Sequence, residues 1–218
     1  MLSVKKFTFN PLAEHTYVVY DETKSCAIID PGCLDPHEQK ALADFIKEQD
    51  LHVQHLVNTH CHIDHILGNA YVKRTYSVKL AIHPADLELM QLAGAHAPKY
   101  GIFGYEPTTP DLFIQAGDII TIGNHQLQIL HVPGHSPGHI ALYSAQDQIC
   151  FVGDVLFKNY IGRTDLPGGN YATLLQSIHE QLFKLDDQVT LYPGHGANTT
   201  IGTEKKNNPF CKVVCPSK

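Results

Sequence analysis

The sequence predicts an α/β protein whose layers run helix, sheet, sheet, helix. Three observations carry that reading. Apolar residues recur in short blocks separated by turn signals. Each half of the chain runs from strands into a helix, and the second half is the richer in strands. Gln126, Leu127, Gln128 and Ile129 alternate polar and apolar, as a half-buried strand does.

In chain order, Phe7–Phe9, Thr16–Tyr20 and Cys26–Ile29 are β-branched and aromatic-rich and read as strands, the last stopped by Asp30-Pro31-Gly32. Asp35-Pro36-His37-Glu38 combines an N-cap, a proline at the first helical position and a glutamate that closes a capping box. Leu42, Phe45 and Ile46 then give the helix over 36–49 an inward face. Val53–Asn58 is a short apolar run, 67–76 a helix, Leu80–Ile82 a strand, and Pro84 opens a helix through Met90. Residues 93–115, rich in Gly, Pro and Thr, read as a long loop of the kind that covers a site. Ile119–Ile122 and Leu127–Val132 form a hairpin around Gly123-Asn124, and Ile140–Tyr143 pairs with Gln148–Val152. A helix follows Asn170 on Leu174, Leu175, Ile178 and Leu182, and Val189–Leu191 is the last strand.

The chain has 218 residues, 43% hydrophobic and 17% charged, which excludes a disordered chain, a coiled coil and a collagen-like repeat. No apolar run approaches the roughly 18–20 residues that span a bilayer, and Met1–Phe7 lacks the pattern of an export signal. The expected location is the cytoplasm, with no membrane partner. Sixteen Lys and Arg against 22 Asp and Glu give a net charge of −6 with no basic run, which argues against nucleic acid as a partner. Six cysteines without a C-x-x-C pair read as reduced, buried thiols, with Cys211 and Cys215 as an alternative redox or metal pair.

Histidine is over-represented, at 15 residues, and it clusters. Thr59-His60-Cys61-His62-Ile63-Asp64-His65 packs three imidazoles and a carboxylate into six positions. His135 in Pro133-Gly134-His135-Ser136-Pro137-Gly138-His139, Asp154 after Gly153, and His195 in Pro193-Gly194-His195-Gly196 each follow an apolar strand and lie in a Gly- or Pro-rich turn. Loops leaving one sheet edge converge, so these residues can meet. Imidazole and carboxylate suit zinc, iron or manganese, and a set without cysteine argues against a closed structural zinc site. One ion with an open position needs three protein ligands. Seven donors are enough for two ions with a shared carboxylate. Such a pair of ions can hold a hydroxide and polarise a carbonyl or phosphoryl oxygen.

T-H-C-H-I-D-H, P-G-H-S-P-G-H, F-V-G-D and P-G-H-G, in that order, resemble the motifs of the metallo-β-lactamase superfamily over nearly the whole chain. The resemblance implies an αββα four-layer sandwich formed by residues 1–218 as one hydrolase domain. It implies that His60, His62 and His135 hold a first divalent metal, that Asp64, His65 and His195 hold a second, and that Asp154 bridges. Zinc is the first expectation, with iron or manganese as alternatives. The stretch from Gly153 through Ile161-Gly162-Arg163-Thr164-Asp165 resembles the short bacterial glyoxalase-II-like branch, whose larger relatives hydrolyse S-acylglutathione thioesters. The implied chemistry is attack of a bridging hydroxide on a thioester carbonyl, with Asp64 relaying a proton beside its ligand role. The implied partner is a small molecule, a glutathione thioester being one form of it.

Arg163 stands where that branch carries a glutathione-contacting lysine; it either grips a substrate carboxylate or pairs with Asp165. Lys158 is a weaker substrate contact. His139 and Asp30 are expected to support the metal ligands by hydrogen bonding. Cys61 is expected to point away from the metals, and Thr200–Phe210 to pack near the site. Only 23 residues follow His195, too few for the helical C-terminal glutathione-binding domain of full-length glyoxalase II. Persulfide dioxygenases share the first motif and the G-R-T-D stretch but use one iron, and lactonase or nuclease chemistry would fit the same core. An exported β-lactamase is disfavoured because no export signal is seen.

Overall fold

Side chains on the central strands face alternately toward helices and toward a second sheet, and that alternation builds the layers. The structure is a computed structural model that describes residues 1–212. The first sheet holds β1 (Ser3–Phe9), β2 (Glu14–Tyr20), β3 (Ser25–Ile29), β4 (His52–Val57), β5 (Leu80–Ile82) and β6 (Leu112–Phe113), adjacent in that order. The second holds β7 (Ile119–Ile122), β8 (His125–His131), β9 (Ile140–Ser144), β10 (Ile149–Gly153), β13 (Thr190–Pro193) and β14 (Thr199–Thr200), ordered β14-β13-β10-β9-β8-β7. A small hairpin, β11 (Leu156–Phe157) and β12 (Tyr160–Ile161), stands apart from both.

On β3, Cys26 and Ile28 pack with α1 (Pro36–Glu48), α3 (Asn69–Tyr76) and α4 (Leu87–His96) through Leu42, Ile46, Val72 and Met90. Its alternate residues, Ala27 and Ile29, meet Ile122, Leu127, Ile140 and Phe151 between the sheets. On β10 the pattern repeats on the other side. Phe151 faces the inter-sheet layer, while Cys150 and Val152 pack under α5 (Tyr171–Glu180) and α6 (Ile201–Asn207) with Leu174, Ile178 and Ile201. Helices therefore cover both outer faces, giving the αββα sandwich. Strands buried on both faces carry unbroken apolar runs, which is why β3 and β10 stand out in the sequence.

The cap at Asp35 forms as expected: its side chain accepts from the backbone of His37 and Glu38, and the Glu38 carboxylate returns to the cap. Glu38 also accepts from Asn10 N, tying the β1–β2 turn to the helix. Several elements differ from the sequence reading. β1 begins at Ser3, because Lys5 and Lys6, both exposed, are accommodated on an edge strand. The helix expected over 67–76 begins at Asn69 and is preceded by a single turn, α2 (Ile63–Ile66). Between them Gly68 lies so close to Pro31 and Cys33 that a β-carbon would not fit. The segment opened by Pro84 runs on to His96, and Ala97–Tyr100 adds a 3-10 turn, so the first part of the expected loop is helical. Alanine-rich sequence favours that outcome, and the returning chain passes beside Gly94, where a β-carbon would just touch Tyr105 and Pro107. Five cysteines, Cys26, Cys33, Cys61, Cys150 and Cys211, are free and buried; Cys215 lies outside the described residues. No helix among the described residues is long and apolar enough to cross a membrane.

Phe151 is fully buried where the two sheets meet and packs on Tyr17 and Tyr192 at ring distances of 5.2 and 5.1 Å. Phe151→Ala should cost about 3–5 kcal/mol of unfolding free energy, read from the urea midpoint at unchanged slope.

Candidate metal centre

β3, β4, β8, β10 and β13 end at a common edge, since β3 and β4 are parallel, β10 and β13 are parallel, and β8 follows β10 through the antiparallel β9. The two sheets are stitched together there: Ile140 N donates to Thr59 O and His15 N to Gly194 O, both at 2.8 Å. The loops after β4, β8, β10 and β13 carry the seven donors singled out in the sequence, and all seven converge.

His60, His62 and His135 form one group. His62 Nδ1 and His135 Nε2 are 2.8 Å apart, and the His60 ring lies 4.8 Å from each of the other two. Asp64, His65 and His195 form the other, with Asp64 Oδ2 3.2 Å from His195 Nε2 and 3.5 Å from His65 Nε2. Asp154 lies between the groups. Its Oδ2 is 3.7 Å from His135 Nε2 and 3.5 Å from His195 Nε2, and its Oδ1 is 3.6 Å from His65 Nε2. Gly153 delivers Asp154 to this position in a left-handed backbone conformation (φ +46°), where a β-carbon would strike Thr59 and His139.

The rings are anchored through the nitrogen that faces away from the centre. His65 Nδ1 donates to Asp30 Oδ2 (3.1 Å), His135 Nδ1 to Arg163 O (2.7 Å) and His195 Nδ1 to Ala13 O (3.2 Å). These bonds fix each tautomer with its Nε2 lone pair aimed inward. Asp30 also accepts from Thr59 N and Thr59 Oγ1, both at 2.6 Å, so it orients the loop as well as the ring. His139 makes its supporting hydrogen bond to Asp154 rather than to an imidazole. It reaches no ligand nitrogen; its Nε2 accepts the backbone N–H of Asp154 at 3.0 Å, and its ring stacks on His60 at 4.7 Å.

Burial, reinforced by His65 and His139, pushes His60 well below the usual imidazole range; burial and then His135 take His62 down to about 3. These imidazoles are neutral at pH 7, the form in which an imidazole can bind a metal. Burial opposes charge on His65 too, but Asp64 and Asp154 outweigh it and raise its pKa. The converse holds for Asp154, where burial is outweighed by His65, then His135 and His195, keeping the carboxyl ionised.

His60 Nε2, His62 Nε2, His65 Nε2 and Asp154 Oδ1 are buried with no hydrogen-bond partner. Orphaned atoms of this kind are rare in folded proteins and ask for a ligand. Gly194 leaves room beside Asp154 and His65 that a β-carbon would fill. A nitrogen- and oxygen-donor set with unsatisfied lone pairs fits divalent metal ions.

The cavity over this cluster holds about 390 Å³. One wall comes from α4 and the following turn, through Leu89, Ala93, His96 and Tyr100; another comes from the β11–β12 hairpin and the 163–167 loop. Arg163 lines it, forked onto Asp165 at 2.7 and 2.8 Å, whereas Lys158 is exposed and is not among the lining residues. Cys61 packs in the hydrophobic cluster under the first sheet and also borders the cavity. Phe210 meets Tyr160 edge to face at 4.6 Å and Asn208 donates to Tyr160 O, so the segment after β14 supports the hairpin wall.

The family profile described as the metallo-beta-lactamase superfamily matches residues 10–195. The hydroxyacylglutathione hydrolase GloC of Haemophilus influenzae is 38% identical over 195 residues, 88% of this chain and 90% of that protein. A mouse mitochondrial persulfide dioxygenase, ETHE1, is 31% identical over 206 residues, 92% of this chain and 72% of that protein. Among solved structures, a di-iron-bound form of TTHA1623 superposes with a TM-score of 0.85 at 36% identity, covering 95% of this chain and 100% of that one. The B3 metallo-beta-lactamase BLEG-1 gives 0.85 at 33%, covering 97% and 99%.

Two carboxylates that sequence reasoning missed complete the scaffold. Asp86, fully buried, accepts from Cys61 N, Ser136 Oγ and Gly138 N at 3.0, 2.8 and 2.6 Å, tying the first histidine motif to the second. Glu14, also fully buried, has Oε1 4.0 Å from His65 Nδ1, and burial raises its pKa. Neither carries a signal: each is one acid beside a strand end, outside any histidine motif. Asp30→Asn tests the support of His65. Asparagine tolerates the left-handed backbone at this residue (φ 49°), so the fold should persist while metal affinity falls about 10–100-fold in a chelator competition.

Proposed function

The chain belongs to the metallo-β-lactamase superfamily of metal-dependent hydrolases, and from that premise we propose that it hydrolyses a thioester of the S-acylglutathione kind at a two-ion centre. The observation that carries this reading is the division of seven donors into two groups joined by one carboxylate. His60, His62 and His135 would hold one ion, Asp64, His65 and His195 the other, with Asp154 shared. Divalent ions there, zinc first with iron or manganese as alternatives, would lower the pKa of water toward 7 and polarise a carbonyl.

The protein's own part is to position and to manage protons. The anchored imidazoles keep the donor set rigid, so that little reorganisation is needed as charge develops on the carbonyl oxygen. Asp64, with Oδ2 3.2 Å from His195 Nε2, lines the cavity and is placed to take up the proton that the attacking water gives up. The oxygen of water bonds to the carbonyl carbon, the carbon–sulfur bond breaks, and the sulfur leaves as a thiolate. With a thiol pKa near 8.5 the leaving group needs no strong acid. Similarity to GloC supports the substrate class, and the cytoplasm is the proposed location.

The test is metal content on the purified protein, followed on the same sample by S-lactoylglutathione hydrolysis and by oxygen uptake with glutathione persulfide. Metal-dependent thioester turnover without oxygen uptake supports the proposal; a single iron with oxygen uptake replaces it with dioxygenase chemistry. Asp154→Ala should lower metal content and turnover together, turnover on the order of a thousandfold. Full activity with intact metal content would refute the shared role.

A further inference from the structure

The cavity wall beyond the metal donors is largely apolar, with His96, Tyr100, Tyr160 and Arg163 as its polar members, and its one lysine or arginine is already engaged. Leu12, Leu89, Ala93, Phe157, Ile161 and Leu166 surround the approach to the donor cluster. Among the described residues that line it, Arg163 is the sole lysine or arginine, and its guanidinium is forked onto Asp165 by two bonds. The Asp165 charge therefore offsets the one handle that a substrate carboxylate would use.

A glutathionyl group carries two carboxylates and an ammonium. Set against leucine and phenylalanine side chains, with only His96, Tyr100, Tyr160 and an already paired Arg163 as polar neighbours, most of these charges would lose water without gaining partners, which is unfavourable. Other cellular thiol carriers, being phosphorylated or peptidic, face the same penalty. The part of a thioester that fits such a wall is the acyl group, provided that it is apolar. A volume of about 390 Å³ lies at the lower end of small-molecule sites, room for an acyl chain or an aryl group and the thioester link.

Resting on the thioester reading above, we infer that the substrate is a thioester with an apolar aliphatic or aromatic acyl group. That group packs between α4 and the β11–β12 hairpin, and the charged thiol carrier lies outside the cavity. Leu12 and Leu166 are specificity-determining residues for that group. Both line the cavity, and neither belongs to the three buried clusters that hold the layers together.

The test varies only the acyl group. The metal-loaded protein is assayed with acetyl-, butanoyl-, hexanoyl- and lactoyl-glutathione. The expected kcat/KM rises about fourfold per added methylene, through KM rather than kcat, and hexanoyl exceeds lactoyl at least tenfold. Leu12→Asn combined with Leu166→Asn should flatten the chain-length dependence while the far-ultraviolet circular dichroism stays native. Titration calorimetry gives a readout independent of turnover: hexanoate should bind at least tenfold more tightly than lactate. Turnover with a flat or falling series, or with lactoyl preferred, overturns this inference and leaves the thioester proposal standing. Absence of turnover with every member overturns the thioester proposal, and hexanoate binding then decides whether the cavity selects apolar ligands.

Discussion

A carboxylate at the end of a buried strand stays ionised only if positive charge or hydrogen-bond donors surround it. Asp154 lies 3.5–3.7 Å from the Nε2 atoms of His65, His135 and His195, and because those nitrogens present lone pairs rather than N–H groups, the compensating charge falls to divalent cations, which the donor set fits. Those rings point inward because Asp30, the Arg163 carbonyl and the Ala13 carbonyl occupy their outer nitrogens. His65 Nε2 and Asp154 Oδ1 are left buried without a hydrogen-bond partner beneath the cavity. The polarity of the whole edge, and the fit of divalent ions to it, follow from that one buried acid.

The sandwich makes this arrangement possible by separating stability from chemistry. Three apolar clusters, two under helices and one between the sheets, hold the layers. The donors come from loops that those layers bring to one edge. Asp86 then locks two loops from different sheets, and Glu204 ties the last helix to the hairpin wall through Asn159 N. Rigid strands with short, cross-braced loops keep seven donors in register without a disulfide.

The donor set was legible because imidazoles are rare and strand-end turns rich in Gly and Pro mark them. β3, β10 and the capping box at Asp35 were legible because burial on both faces and cap chemistry both leave local patterns. The helical extension to His96 was not, since Gly94 and the turn residues after it resemble a loop until the chain folds back on Tyr105. Asp86 and Glu14 act only through contacts made across the fold. The cavity wall was equally hidden: Leu12, Leu89 and Leu166 come from three separate segments and acquire a common role only in three dimensions.

The central claim is that one carboxylate joins two metal positions. Anomalous diffraction from crystals of the metal-loaded protein, recorded on both sides of the metal absorption edge, tests it most directly. The account predicts two peaks per chain, one against His60, His62 and His135 and one against Asp64, His65 and His195, with the Asp154 carboxylate between them. A single peak at full occupancy in metal excess, or two peaks with Asp154 turned away from both, would contradict it.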